Sequence, residues 1–239
     1  RVLAVRGVVG VAAHAFIHPK LTDLHDPGEL PGVDRAAARL LEAADSGEPI
    51  VVFGDYDADG ITASAIVVRA LRQARPNADI RAYVPHRLEE GYGLNTEAIN
   101  ALADQGARVI ITVDCGITAF EPAAAAAQRG IDLIITDHHT PPDAERGMPD
   151  AYAVVHPALH GSRYPFASLC GAGVAFKLAW RLGTLACNNA RVTPAWQRLL
   201  LDLVGLAALG TVADCVPLQG ENRAITAIGL RGLRASRLA

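Results

Sequence analysis

The segment Ile50-Val51-Val52-Phe53-Gly54-Asp55-Tyr56-Asp57-Ala58-Asp59-Gly60 decides how this chain is read. Four consecutive apolar residues, three of them β-branched, form a strand with no polar face, the pattern of a strand buried on both sides. The run stops at a glycine and three aspartates spaced two apart. A helix-like stretch, Ile61–Arg75, follows at once. Strand, acidic turn and helix in that order predict a parallel α/β unit whose ligand edge lies at the strand's carboxyl end.

Working outward, the alternation repeats. Strand-like runs occur at Pro49–Phe53, Asp79–Val84, Arg108–Val113, Ile131–Thr136 and Ala151–Val155, with helix-like stretches at Thr96–Gln105 and Ala119–Arg129. The expected fold is α/β, a parallel sheet with helices on both faces, followed by a mainly helical C-terminal part beyond Gly171. Breaks in that helical part are expected around 188–193 and at Pro217. Residues 1–33, broken by Pro19, Pro27, Pro31 and glycines, read as an irregular N-terminal arm lying on the domain. Asp34 reads as the N-cap of a helix that turns Leu40 and Leu41 inward, with Gly47 past its end. The expected organisation is an arm over 1–33, an α/β domain over 34–218 and the start of a connecting helix over 219–239.

Composition sets broad bounds. The chain has 239 residues, 51% hydrophobic and 20% charged, enough to bury a substantial core. A net charge of −3 excludes the global basic footprint of a duplex-coating protein. Cys115, Cys170, Cys187 and Cys215 form no C-x-x-C pair, which argues against a zinc ribbon and for reduced thiols in a cytoplasm. No apolar run is read as long enough to span a membrane. The chain starts at Arg1 and stops soon after a helix-like tail, and a fragment of a longer protein is expected.

The chemistry lies at the strand ends. If Gly54–Gly60 stays extended, Asp55, Asp57 and Asp59 share one face. Three carboxylates so close repel one another unless a cation neutralises them; the competing reading is a solvated acidic turn or a helix cap. An EF-hand loop opens with the same D-x-D-x-D-G, but its twelfth position must be a bidentate Glu and here it is Ile66. A second buried run ends in Asp114-Cys115-Gly116, a third in Asp137-His138-His139, and an apolar helix ends in Asp214-Cys215. This set is rich in oxygen, with one or two imidazoles, and favours manganese or magnesium over structural zinc. So many carboxylates suit two divalent cations sharing a bridging acid, the arrangement used for phosphoester hydrolysis.

The motifs DYDADG, VDCG, TDHH and GTVADCVPL, in this order, resemble the four signatures of the DHH phosphoesterase superfamily. Arg87-Leu-Glu-Glu-Gly-Tyr-Gly-Leu-Asn95, Leu24-His25-Asp26-Pro27 and Cys170–Lys177 resemble its RecJ family of exonucleases, and the likeness covers nearly the whole chain. The resemblance implies a single-stranded-DNA-specific 5′-to-3′ exonuclease that releases 5′-mononucleotides, acting in recombination and repair. It implies that Asp59, Asp114, His138 and Asp214 hold one Mn2+ or Mg2+ ion, and that Asp55, Asp57 and the shared Asp114 hold the other. His139 would face the substrate phosphate, and Asp137 would orient a histidine. Gly171, Ala172 and Gly173, opening a helix, could hold a phosphate oxygen through free N–H groups; a tight turn for close packing is the competing reading. Arg87 and Tyr92 could contact the DNA backbone and stack on a base. Family partners would be a single-stranded-DNA-binding protein and a helicase. Rival readings are a phosphoesterase for pyrophosphate, cyclic dinucleotides or nanoRNA, and a non-catalytic DNA-replication scaffold.

Overall fold

The computed structural model describes residues 2–86 and 93–233. Its centre is a five-stranded, all-parallel sheet: β1 (Ile50–Gly54), β2 (Ile80–Tyr83), β3 (Val109–Val113), β4 (Asp132–Thr136) and β5 (Ala153–Val155), in the order β2-β1-β3-β4-β5. Every residue of β1 and β3 is buried, as their unbroken apolar runs demand. Each fully buried Ile or Val there contributes roughly 1.5–3 kcal/mol of hydrophobic stabilisation.

Two cores result. On one face, α3 (Val33–Ser46), α4 (Ala58–Ala74), α7 (Gly171–Ala186) and α8 (Pro194–Ala213) bury Leu40, Ile66, Val67, Leu178, Leu203 and Val204 against Val52, Ile111 and Ile134. On the other, α5 (Thr96–Asp104) and α6 (Phe120–Gln128) press Ile99, Leu102, Ala123 and Ala126 onto Phe53, Ile110 and Ile135. The chain leaves β1 by α4 toward β2 and returns over the opposite face by α5 to β3. The order therefore reverses between β1 and β3, and the crevice outside their carboxyl ends is where an open α/β sheet binds ligands.

Local readings are corrected in places. The cap of α3 is Gly32, in the left-handed region at φ 74°, and a Cβ there would lie 2.1 Å from the Val154 carbonyl oxygen. Asp34 sits in the helix's first turn and instead pairs with Arg181 at 2.6 Å. The arm is less irregular than expected, with helices α1 (Val2–Val5) and α2 (Gly10–Ile17), neither of which buries a residue. The breaks in the helical part fall where expected: α7 ends at Ala186, α8 starts at Pro194, and α9 (Gly220–Gly232) follows Pro217. Among the described residues one helix, α8, is long and apolar enough by length and composition to cross a membrane, although Gln197, Arg198 and Asp202 interrupt its apolar run. Its apolar character has another use, since it packs between α4, α7 and α9 and buries Leu203, Val204, Ala207 and Ala208.

A buried ionic cluster ties the arm to the helical layer. Lys177 Nζ, fully buried, donates to Glu221 Oε1 and to the His25 carbonyl oxygen (2.7 Å). Glu221 also accepts from Tyr164 Oη at 2.6 Å and from the His25 N–H at 2.9 Å. Burial lowers the Lys177 pKa, with Glu221 pulling the other way, and burial together with the Glu221 charge raises that of Tyr164.

Candidate metal centre

The sheet register builds the site. Gly54 pairs with Val113, Val113 with Thr136, and Thr136 with Val155, so four strands end level. The next residues, Asp55, Asp114, Asp137 and His156, therefore stand in one row. The ladder carries three of them: Asp55 N–H donates to Val113 O, Asp114 N–H to Thr136 O (3.0 Å), and Asp137 N–H to Val155 O.

The acids after β1 divide between two conformations. Asp57 is the N-cap of α4, its Oδ1 accepting from Gly60 N–H at 2.9 Å. Asp59 lies inside the first helical turn, so the three acids do not share an extended face as the sequence reading supposed. Helical geometry swings Asp59 away from Asp55 and toward the start of α7. There it accepts from the Gly171 and Ala172 N–H groups at 2.6 and 2.9 Å, and Gly173 N–H donates to Cys170 Sγ. The amides read as a phosphate cradle are thus held by Asp59 and Cys170.

Asp114 adopts φ 63°, a conformation costly for a side-chain-bearing residue and typical of functional sites. It is 1% exposed, and α7 passes so close that a Cβ at Gly171 would lie 2.5 Å from its Oδ1. A Cβ at Gly210 would lie 2.3 Å from Asp59 Oδ1. Glycine is required at both places so that two helices can close on the acids. Gly171→Ala is expected to displace Asp114 and weaken manganese binding by roughly 10- to 100-fold, the usual cost of disturbing a ligand's support. Calorimetric titration with Mn2+ checks this, and an unaltered affinity would refute the close-packing argument.

The donor atoms converge in three groups, each with its atoms within 4.8 Å of one another: Asp55, Asp57 and Asp114; Asp59, His138 and Asp214; and Asp114, His138 and His139. His138 Nε2 lies 3.1 Å from Asp114 Oδ1, 3.7 Å from Asp214 Oδ2 and 3.8 Å from Asp59 Oδ2. His138 Nε2, Asp114 Oδ1 and Asp214 Oδ2 are all buried without a hydrogen-bond partner. Three converging orphan donors are the signature of a cation site, because buried polar atoms otherwise find partners. Neighbouring ligands of an ion with bonds of about 2.1 Å stand about 3 Å apart, close to the His138–Asp114 spacing. The set fits a hard divalent cation.

Electrostatics agree. Burial, then the charges of Asp59 and Asp57, push Asp114 up to about 10. Burial also raises Asp55 and Asp214. Asp137 differs: burial pushes it up, but its bond to His139 and the charge of that ring outweigh this and hold it below the ordinary carboxylate value. Its Oδ1 accepts from the N–H groups of His138 (2.7 Å) and His139 (3.1 Å) and meets His139 Nδ1 at 2.7 Å, while Oδ2 accepts from Ile117 N–H. An ionised Asp137 requires the proton on His139 Nδ1, and that bond raises the His139 pKa. Asp137 is thus fully engaged in orienting a ring and stands outside the three donor groups.

Sequence reasoning missed His156. It is completely buried, its Nε2 donates to the His139 carbonyl oxygen at 2.8 Å, and its Nδ1 accepts from Ala158 N–H at 3.0 Å. The ring pins the loop that presents His138 and His139. The signal was available, since His156 directly follows the fifth apolar run. Arg87 and Tyr92 lie outside the described residues.

Residues 49–211 match the DHH family, N-terminal domain. The single-stranded-DNA-specific exonuclease RecJ of Bacillus subtilis is 42% identical over 223 residues, covering 93% of this chain and 26% of that protein. A crystal structure of exonuclease RecJ bound to manganese superposes with a TM-score of 0.74 at 41% identity, covering 87% of this chain and 49% of that one. RecJ from Thermus thermophilus in complex with Mn2+ gives 0.73 at 35% identity, covering 94% and 30% of the two chains. The same protein with Mg2+ gives 0.60 at 33%, covering 93% and 26%. The chain spans about a quarter to two-fifths of the length of the curated RecJ relatives it matches.

Proposed function

This chain belongs to the DHH family, and from that premise we propose that it is the metal-dependent core of a single-stranded-DNA-specific exonuclease that hydrolyses phosphodiester bonds from a 5′ end, releasing 5′-mononucleotides in recombination and repair. The observation that carries the hydrolytic reading is the trio of unpartnered buried donors on Asp114, His138 and Asp214 beside an uncompensated carboxylate cluster. Strand specificity and polarity are carried over from the RecJ relatives.

Asp59, Asp114, His138 and Asp214 would hold one divalent cation, Mn2+ or Mg2+, and Asp55, Asp57 and Asp114 the other. When bound, the cations supply the positive charge that acidifies water and offsets the charge developing on the phosphate oxygens. Asp114, locked by its left-handed backbone and by α7, keeps the two halves of the ligand set in register. Asp137 fixes the tautomer and direction of His139 and raises its pKa, which favours the charged ring beside a substrate phosphate oxygen. His156 holds the backbone on which both histidines are mounted. By the same family likeness, we propose a single-stranded-DNA-binding protein and a helicase as partners, and a cytoplasmic setting in which the four free cysteines stay reduced.

The test uses 5′-labelled single-stranded and duplex oligonucleotides with Mn2+, Mg2+ or EDTA, alongside pyrophosphate and a cyclic dinucleotide. Release of labelled mononucleotide from single strands only, abolished by EDTA and lowered roughly 100-fold or more by His139→Ala, is the expected result. Hydrolysis of pyrophosphate or the cyclic dinucleotide in place of DNA would overturn the substrate assignment.

A further inference from the structure

A cavity of about 830 Å³ opens directly beside His139 and Asp137, between the N-terminal ends of α5 and α6. Its size falls in the range of small-ligand sites, and of its lining only Asp137 and His139 belong to the hydrolytic centre. Leu94 and Ile117 give it a buried apolar floor. Phe120 and Arg146 form one wall, with the guanidinium 4.3 Å from the centre of the phenyl ring. Among the described residues, the acidic and basic lining consists of Glu97 and Glu121, each in the first turn of its helix, together with Asp137, His139 and Arg146.

That lining selects a ligand class. Asp137 is already balanced by His139, so Glu97 and Glu121 stand against one guanidinium, which disfavours a phosphate or a second stretch of sugar–phosphate backbone. They accept hydrogen bonds readily, however, and the floor and the cation–ring wall favour a flat, apolar face. A planar, uncharged ring carrying N–H donors meets each condition: it stacks on the aromatic or guanidinium plane and gives a ring or exocyclic N–H to a carboxylate. The cavity shares Asp137 and His139 with the hydrolytic centre, so such a ring sits next to whatever phosphate that centre holds. We propose that this cavity is a nucleobase subsite, receiving the base of the nucleotide whose phosphate lies at the acid cluster, with Phe120 and Arg146 as its stacking wall. The proposal rests on the nuclease reading for its position relative to the scissile phosphate, though base binding itself is measurable without hydrolysis.

The experiment has two arms. In the first, equilibrium dialysis with Mn2+ present compares dAMP and dTMP with deoxyribose 5-phosphate on the wild type and on Phe120→Ala, Phe120→Tyr and Arg146→Ala. The wild type is expected to hold the nucleotides roughly tenfold or more tighter than the sugar phosphate. Phe120→Ala and Arg146→Ala should erase most of that preference, while Phe120→Tyr, which keeps a ring, retains it. Manganese titration of each variant confirms an intact centre. In the second arm, KM is measured on strands ending in a normal or an abasic 5′ nucleotide, and Phe120→Ala should raise KM on the normal end alone. A wild type that binds nucleotide and sugar phosphate equally, or a Phe120→Ala loss of the same size on both, overturns the subsite. Base preference that depends on Phe120, in a protein that cleaves no DNA, would uphold the subsite and overturn the nuclease reading. DNA hydrolysis with no such preference would do the reverse.

Discussion

Asp114→Asn is expected to reduce phosphodiester hydrolysis by roughly 10³-fold and to remove tight manganese binding. Asp114 is, among the described residues, the one acid placed in both the Asp55–Asp57 group and a His138 group, so neutralising it weakens two ion positions at once. Metal stabilisation of phosphoryl charge is worth several kcal/mol, and each 1.36 kcal/mol is a factor of ten in rate. The substitution should act on stability in the opposite sense. Burial, with Asp59 and Asp57, pushes the Asp114 pKa up to about 10 from the ordinary carboxylate value of 3.8. A raised carboxyl pKa stabilises the fold only at low pH, and that contribution fades as pH climbs from about 4 to about 10. Metal-free Asp114→Asn should therefore melt higher than the wild type at pH 7, while added Mn2+ raises the melting temperature of the wild type alone. The wild type should also release protons as it binds Mn2+, seen as a dependence of the calorimetric heat on buffer, and the variant fewer. Wild-type-like manganese affinity in the variant would exclude Asp114 as the shared ligand.

The second large effect is on folding. Lys177→Met leaves Glu221 buried and charged with its cation gone, a change that typically costs about 3–5 kcal/mol, or on the order of 10 °C in melting temperature for a chain of this size. Adding Glu221→Gln should recover part of the loss, because the amide oxygen can still accept from the His25 N–H and the amide NH2 can donate to Tyr164 Oη, while the unpaired charge disappears. Thermal melts followed by circular dichroism on the single and double variants provide the check. A Lys177→Met protein as stable as the wild type would mean that the cluster does not anchor the arm.

What the sequence made legible was whatever depends on residues adjacent in the chain. The five strands and the acids at their ends could be read because a fully buried parallel strand is an unbroken apolar run, and its first polar residue marks the ligand edge. The extents were blurred where polar ends fray the pattern: Asp79–Val84 contracts to Ile80–Tyr83, and Ala151–Val155 to Ala153–Val155. Contacts between distant segments were not legible. Nothing near Asp59 announces that it will accept from Gly171 and Ala172, more than a hundred residues on, so the sequence left those amides between a phosphate cradle and a tight packing turn. The Asp34 cap failed similarly, because Gly32 is required by the approach of Val154 from another strand. His156 was overlooked because its one local signal, its place directly after the fifth apolar run, is weak for a lone histidine; the level register of four strands gives it meaning. The base cavity, assembled from the ends of α5 and α6 and the turn carrying Arg146, has no sequence signature at all.

The double duty of Asp59 has an evolutionary corollary. As a proposed ion ligand it belongs to the chemistry, but as acceptor for the first amides of α7 it belongs to the architecture. A descendant released from selection for hydrolysis could drift at Asp57, which is exposed and serves only a local cap, with little penalty. Losing Asp59 would leave buried helix amides unanswered and would be purged for folding alone. Among chains of this lineage, an aspartate kept at this position is therefore a poor witness to activity, and the fate of its exposed neighbour two residues earlier is a better one.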